Sequence, residues 1–110
     1  MNPRLVYYSH RFRCPVPEQQ WANVVRAATR FRQLHSERSH VRERLWAPWI
    51  ELAEAGVPED QAWAVIEAAI AASHGVLLDL DGADESDGMA REREIAIRLG
   101  KQVEELGRRT

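Results

Sequence analysis

Residues 62–78, AWAVIEAAIAASHGVLL, constrain the fold more than any other stretch. They carry one charge, Glu67, in a chain in which 29% of residues are charged. At helical spacing Trp63, Ile66, Ile70 and His74 share one face, and Val65, Ala69 and Ala72 make the other faces apolar. A helix apolar on all sides belongs at the centre of a fold, and its alanines let neighbours approach closely. The helical part is too short to cross a bilayer and is broken by His74 and Gly75. The expectation is therefore a central helix covered by the remaining elements, in a protein with no membrane partner.

The rest of the chain is read around that helix. At 110 residues it makes one domain, residues 1–110, large enough for a modest core without cross-links. The single cysteine, Cys14, excludes an internal disulfide and a cysteine-rich zinc site. With no apolar leader, the expected location is cytoplasmic. Residues 1–17 form an extended arm, with Leu5-Val6-Tyr7-Tyr8 rich in strand formers and Cys14-Pro15-Val16-Pro17 a stiff connector. Pro17 and Glu18 suit a helix start. Trp21, Val24, Val25, Ala28, Phe31 and His35 then recur as its buried stripe, with a break near residues 36–39. Val41, Leu45, Trp49 and Leu52 mark the next helical stretch, kinked or restarted at Pro48. Gly56 ends it, and Pro58-Glu59-Asp60 opens the central helix after a very short turn. Val76-Leu77-Leu78-Asp79-Leu80 is either a short strand pairing with residues 5–8 or a buried extended segment. Residues 79–88 form an acidic loop. A last helix is expected over residues 89–106 on the stripe Ile95, Leu99, Val103 and Leu106, weakened at Gly100. The expected fold is mainly α: about four helices over residues 18–107, a short extended N-terminal segment and at most one two-stranded pairing.

Charge is segregated along the chain. Residues 1–44 hold nine arginines against three carboxylates, and residues 45–90 hold ten carboxylates and no base. Such asymmetry accompanies binding to a charged partner, or it draws the two halves of one chain together. The candidate partner-binding residues are Arg11, Arg13, Arg26, Arg30, Arg32, Arg42 and Arg44 on the basic side. On the acidic side they are Asp79, Asp81, Asp84, Glu85 and Asp87. Arg26 and Arg30, one turn apart and opposite the apolar stripe, are expected to be exposed.

Two short motifs resemble known patterns. Val76-Leu77-Leu78-Asp79-Leu80-Asp81-Gly82 resembles the first motif of haloacid-dehalogenase-type phosphohydrolases. That resemblance implies Asp79 as nucleophile and Asp81 as general acid. The family also needs a lysine and further acids well downstream in a larger sheet domain, and only residues 82–110 follow, so no catalysis is expected from it. Ala53-Glu54-Ala55-Gly56-Val57, with Ala62, Val65 and Ile66, resembles the core of a helix-turn-helix. Leu52 departs from that pattern, and Pro58-Glu59-Asp60 would set carboxylates against phosphate.

The acidic loop lacks EF-hand spacing, and His10, His35, His40 and His74 show no metal-ligand spacing. No metal or cofactor is expected. The four tryptophans are expected to meet in the core. The leading functional expectation is a non-enzymatic protein acting stoichiometrically on a protein or nucleoprotein complex, similar in kind to phage accessory inhibitors such as anti-CRISPR proteins. The alternative is nucleic-acid binding through the arginine face, with Phe12 stacking on a base.

Overall fold

The computed structural model describes residues 3–108; residues 1–2 and 109–110, the ends of the expected arm and domain, lie outside them. Its centre is a parallel β-sheet, not a helix. The elements run β1 (Arg4–Ser9), α1 (Pro17–Arg38), a 3₁₀ turn (Ser39–Val41), β2 (Glu43–Trp46), α2 (Pro48–Glu54), α3 (Glu59–Ala72), β3 (Gly75–Asp79), α4 (Asp87–Arg98) and β4 (Gln102–Leu106). The four strands lie in the order β2-β1-β3-β4, all pairs parallel. The mainly α expectation is thus corrected to an α/β fold.

The physical reason for the correction lies in three segments. β1 and β3 do pair, Tyr7 opposite Val76 and Tyr8 opposite Leu77, and every residue of β3 is buried. A strand covered on both faces reads as a continuous apolar run, as a buried helix does. β2 is four residues placed just before Pro48, too short to show alternation, so it reads as part of a helix that in fact starts at Pro48. β4 follows Gly100, whose φ of +71° and the Lys101 N–H bond to the Ala96 carbonyl end α4 outright. Leu99, Val103 and Leu106 therefore never share a helix face.

The segment that appears apolar all round, α3, is one-sided in the fold. Ala62, Trp63, Ile66, Ala69 and Ile70 are buried, while Ala64, Val65, Ala68, Ala71 and Ala72 face solvent. Alanine is small enough to stand in water at little cost, so an alanine-rich helix overstates its apolar circumference. Trp21 and Val25, expected on the buried stripe of α1, are 57% and 50% exposed. The stripe that meets the core is Val24, Ala27 and Leu34, with Phe31 partly buried.

The topology decides where function can sit. The chain leaves β1 for β2 on one side, then crosses back over β1 to reach β3 and β4 on the other. Right-handed crossovers, the rule for such units, then place α1 on one face and the α3–α4 pair on the other. Side chains confirm the two faces. Tyr8 packs edge-on against Phe31 of α1, with ring centres 5.7 Å apart, while its neighbour Ser9 bonds Glu92 of α4. Successive residues of one strand point to opposite faces. The reversal of winding between β1 and β3 opens a crevice at their carboxyl ends, where open parallel sheets bind ligands.

Candidate active site

Two clusters meet at that edge. The first is ionic and lies towards α1. Asp79, fully buried at the end of β3, accepts a 2.6 Å hydrogen bond from the Tyr8 hydroxyl and two from the Arg30 guanidinium, at 3.0 and 3.1 Å. Asp81, two residues on, accepts two bonds from Arg26, at 2.8 and 3.0 Å, and lies 3.0 Å from His10 Nε2. Arg26, then the His10 contact, hold the Asp81 carboxyl well below the usual carboxylate range. Burial, followed by the Asp79 bond, drives the Tyr8 hydroxyl far above its ordinary value. The α1 spacing explains the pairing: Arg26 and Arg30 are one turn apart, so they meet two carboxylates two residues apart at the end of a strand.

The second cluster lies towards α4 and lines a cleft of about 570 Å³. Its walls are aromatic. Phe12 stacks on Trp49 at 4.8 Å, Arg13 lies 4.9 Å over Phe12, and Arg91 lies 4.0 Å over Trp63. Trp49 is fixed from behind by its indole N–H, which donates to the Tyr8 carbonyl at 2.7 Å. Glu92, in the second turn of α4, faces this cleft and is only 6% exposed. Its Oε1 accepts a 2.9 Å bond from the Ser9 hydroxyl. Burial pushes the Glu92 carboxyl up to about 7, only partly offset by the Tyr7 and Ser9 hydroxyls and the Arg13 charge. Among the described residues the buried Tyr7 hydroxyl has no partner at hydrogen-bonding geometry. Burial, followed by the charge of Glu92, raises its pKa well above the ordinary tyrosine value. The first turn of α4 is ordered by Ser86, whose Oγ accepts from the Met89 N–H.

A buried carboxyl that titrates near neutrality, in an aromatic cleft at the switch point of a parallel sheet, has the physical marks of a reacting group. No protein-family model matches this chain, and no curated protein matches it in sequence. The reading of the site therefore rests on its geometry.

The residues singled out in the sequence fall in several places. Asp79, Asp81, Arg26 and Arg30 come together as the ionic cluster, with the Arg30 side chain only 17% exposed. Arg26, at 54%, keeps the expected exposure although both of its bonds go to Asp81. Arg11 donates to the Leu80 carbonyl at 2.7 Å, and Arg13 pairs with Glu59 at 3.4 Å beside the cleft. Glu85 pairs with Arg93. Asp87 opens α4 at the cleft rim, Asp84 is exposed, and Arg32, Arg42 and Arg44 stand exposed and away from the site. Among these residues Arg26, Arg30, Asp79 and Asp81 hold α1 against the end of β3.

Among the described residues, no three His, Cys, Asp or Glu side chains converge as a metal site requires, and no helix is long and apolar enough to cross a membrane. The haloacid-dehalogenase resemblance places Asp79 as a nucleophile, but in the fold its carboxylate is fully buried and held by Tyr8 and Arg30. Of the helix-turn-helix resemblance the fold shows a short α2–α3 turn in which Gly56 has a φ of +70°.

Sequence reasoning missed Glu92, Ser9, Tyr7 and His10. One signal was available for Glu92. Met89, Glu92, Ile95 and Ala96 are the buried residues of α4, and their spacing is that of one helix face. A carboxylate inside such a stripe costs free energy unless it is paired or neutralised.

Proposed function

We propose that the chain is a small-molecule enzyme in which Glu92 is the reacting carboxyl. The cleft would take a ligand carrying a flat heteroaromatic group, of the nucleoside or nucleotide class. The observation that carries this reading is the placement of Glu92: buried in a cleft wall, held by Ser9, with its carboxyl pushed up to about 7. An apolar residue there would stabilise α4 more, so the cost of a buried carboxyl points to use. The aromatic walls support a planar ligand through stacking. The doubly wound sheet supports the nucleoside class by analogy of fold alone.

For such a ligand the chemistry open to a carboxylate nucleophile is at the sugar carbon that bears the base. The carboxylate oxygen bonds to that carbon, the C–N bond breaks, and the base leaves with the electron pair and takes a proton from solvent water. Water or a second base then displaces the glycosyl ester and regenerates the carboxylate. The test is incubation with ribo- and deoxyribonucleosides and their 5′-monophosphates, with released base read by chromatography. The expected result is release by the native protein and none by folded Glu92→Gln. No release from any of these, with no ligand-induced shift in melting, contradicts the reading.

A partner-binding role is a second proposal, supported by a different surface. Val16, Trp21 and Val25, at and near the start of α1, are each at least half exposed, which is how interface anchors stand before their partner arrives. Capture of a host protein that Trp21→Ala abolishes would support it. The nucleic-acid version rests on the exposed Arg32, Arg42 and Arg44 and predicts oligonucleotide binding that falls steeply with salt.

A further inference from the structure

We infer that Arg91 is a specificity-determining residue of the cleft: it binds a 5′-phosphate, so that the ligand is a nucleotide rather than a nucleoside. The inference rests on the nucleoside-class reading of the cleft and names the group that completes that ligand. Two arginines line the cleft, Arg13 and Arg91. Arg13 is committed, since its guanidinium pairs with Glu59 at 3.4 Å. Arg91 has neither an ion pair nor a hydrogen bond among the described residues, and its guanidinium lies 4.0 Å over the Trp63 ring.

A guanidinium is planar and carries its N–H donors in that plane. Its contact with the ring face of Trp63 uses none of them in a hydrogen bond. The platform itself is fixed, because the Trp63 indole N–H donates to Glu59 at 3.2 Å. Arg91 thus holds an unpaired charge and a fork of donors in place before a ligand arrives, and such a fork binds phosphate oxygens in pairs.

The carboxylates of the cleft leave that charge standing. Glu59 is held by Arg13 and the Trp63 N–H, and Glu85 by Arg93 at 2.7 Å. Asp87 is exposed in the first turn of α4, where the helix dipole favours a carboxylate. It lies one turn before Arg91, a spacing that suits an ion pair, yet the Arg91 guanidinium sits on Trp63 instead.

The reach also fits. Arg91 directly precedes Glu92 in α4, so the two side chains leave the helix about 100° apart. Glu92 points to Ser9 on the sheet, and Arg91 to Trp63 on α3. A sugar carbon held at Glu92 therefore has Arg91 to one side of its ring. The 5′ carbon is the sugar's only exocyclic carbon, and a phosphate on it extends clear of the ring.

The test compares the four ribonucleoside 5′-monophosphates with their parent nucleosides, by calorimetric binding and by base release. It is run on the native protein, on Arg91→Gln and on Arg32→Gln. Arg91 is exposed, so its replacement keeps the fold. A hydrogen bond to a charged group predicts that the native protein binds a monophosphate at least about tenfold more tightly than its nucleoside. In Arg91→Gln the two should bind about equally, whereas Arg32→Gln, away from the cleft, should keep the native ratio. A merely structural role for Arg91 would weaken both ligands alike and leave the ratio unmoved. Equal binding by the native protein, a preference that survives Arg91→Gln or is lost as fully in Arg32→Gln, or binding of neither ligand overturns the inference. Base release without a phosphate preference removes the role of Arg91 and leaves that of Glu92. Phosphate-dependent binding lost in Arg91→Gln, with no base release, supports Arg91 and removes the role of Glu92.

Discussion

Replacing Glu92 with glutamine should change the pH dependence of stability in a specific way. The buried carboxyl is raised from 4.5 to about 7 in the folded chain. Its folded value lies above its unfolded one, so the folded state binds the proton more tightly. The sign follows: below about pH 4.5 both states are protonated and the group costs nothing, and as pH rises towards 7 the folded chain is penalised. Above 7 the penalty is complete. At about 1.4 kcal/mol per unit, a difference of two to three units amounts to roughly 3 kcal/mol. Glutamine keeps the shape and accepts the Ser9 bond through its amide oxygen, but it does not ionise. The difference in unfolding free energy between Glu92→Gln and the native chain should therefore grow in the variant's favour by about 3 kcal/mol from pH 4.5 to pH 8. In urea, that corresponds to a relative midpoint shift of about 1–3 M for a domain of this size. Groups other than Glu92 titrate equally in both proteins and drop out of the comparison. Parallel stability profiles over that range would refute the claim that Glu92 is buried and unpaired by charge.

Four further outcomes follow from the same structure. Asp79→Ala leaves the partly buried Arg30 and the buried Tyr8 hydroxyl without their acceptor and should cost about 3–5 kcal/mol in chemical denaturation, whereas Arg32→Ala should cost less than about 0.5 kcal/mol. Asp81 has its carboxyl lowered by Arg26, so it stabilises the fold above the ordinary carboxylate range and loses that contribution only in strong acid; Asp81→Asn should flatten the acid limb of the stability curve. Gly107→Ala puts a methyl group 2.9 Å from the Asp81 backbone nitrogen at a φ of +75° and should lower stability by about 1–3 kcal/mol. Trp49→Ala should cost about 3–5 kcal/mol, while Trp21→Ala, removing a mostly exposed ring, should leave the melting temperature almost unchanged.

The legible parts of the fold were those governed by local rules. Pro17 opening α1, Pro48 starting α2 and Gly56 at the end of α2 follow from backbone chemistry that a few residues carry, whereas residues 76–80 read equally as a strand pairing with residues 5–8 or as a buried extended segment. The sheet as a whole was not legible. β2 and β4 are four and five residues long, and a parallel strand's partner is set by a crossover rather than by a turn. The charge segregation admitted two readings, attraction within the chain or towards a partner. Among the described residues Arg26–Asp81, Arg30–Asp79 and Arg13–Glu59 show the first of these. The site was hidden for a related reason. Tyr7, Ser9, His10 and Glu92 are more than 80 positions apart at their extremes, and only β1 lying beside β3 brings them together. Glu92 alone had a local signal, a carboxylate among Met89, Ile95 and Ala96, and it was overlooked because the expected helix carried its stripe past Gly100.

The central claim, that the cleft between β1 and α4 is where this protein meets its ligand, is tested most directly by mapping small-ligand binding with ¹H–¹⁵N NMR. Nucleosides and nucleotides titrated into the native protein should perturb the Trp49 and Trp63 indole signals and the amides of Phe12, Met89 and Glu92, with Glu92→Gln altering the affinity. Shifts confined to the outer face of α1 around Trp21 and Val25, or no shifts at millimolar ligand, would contradict it.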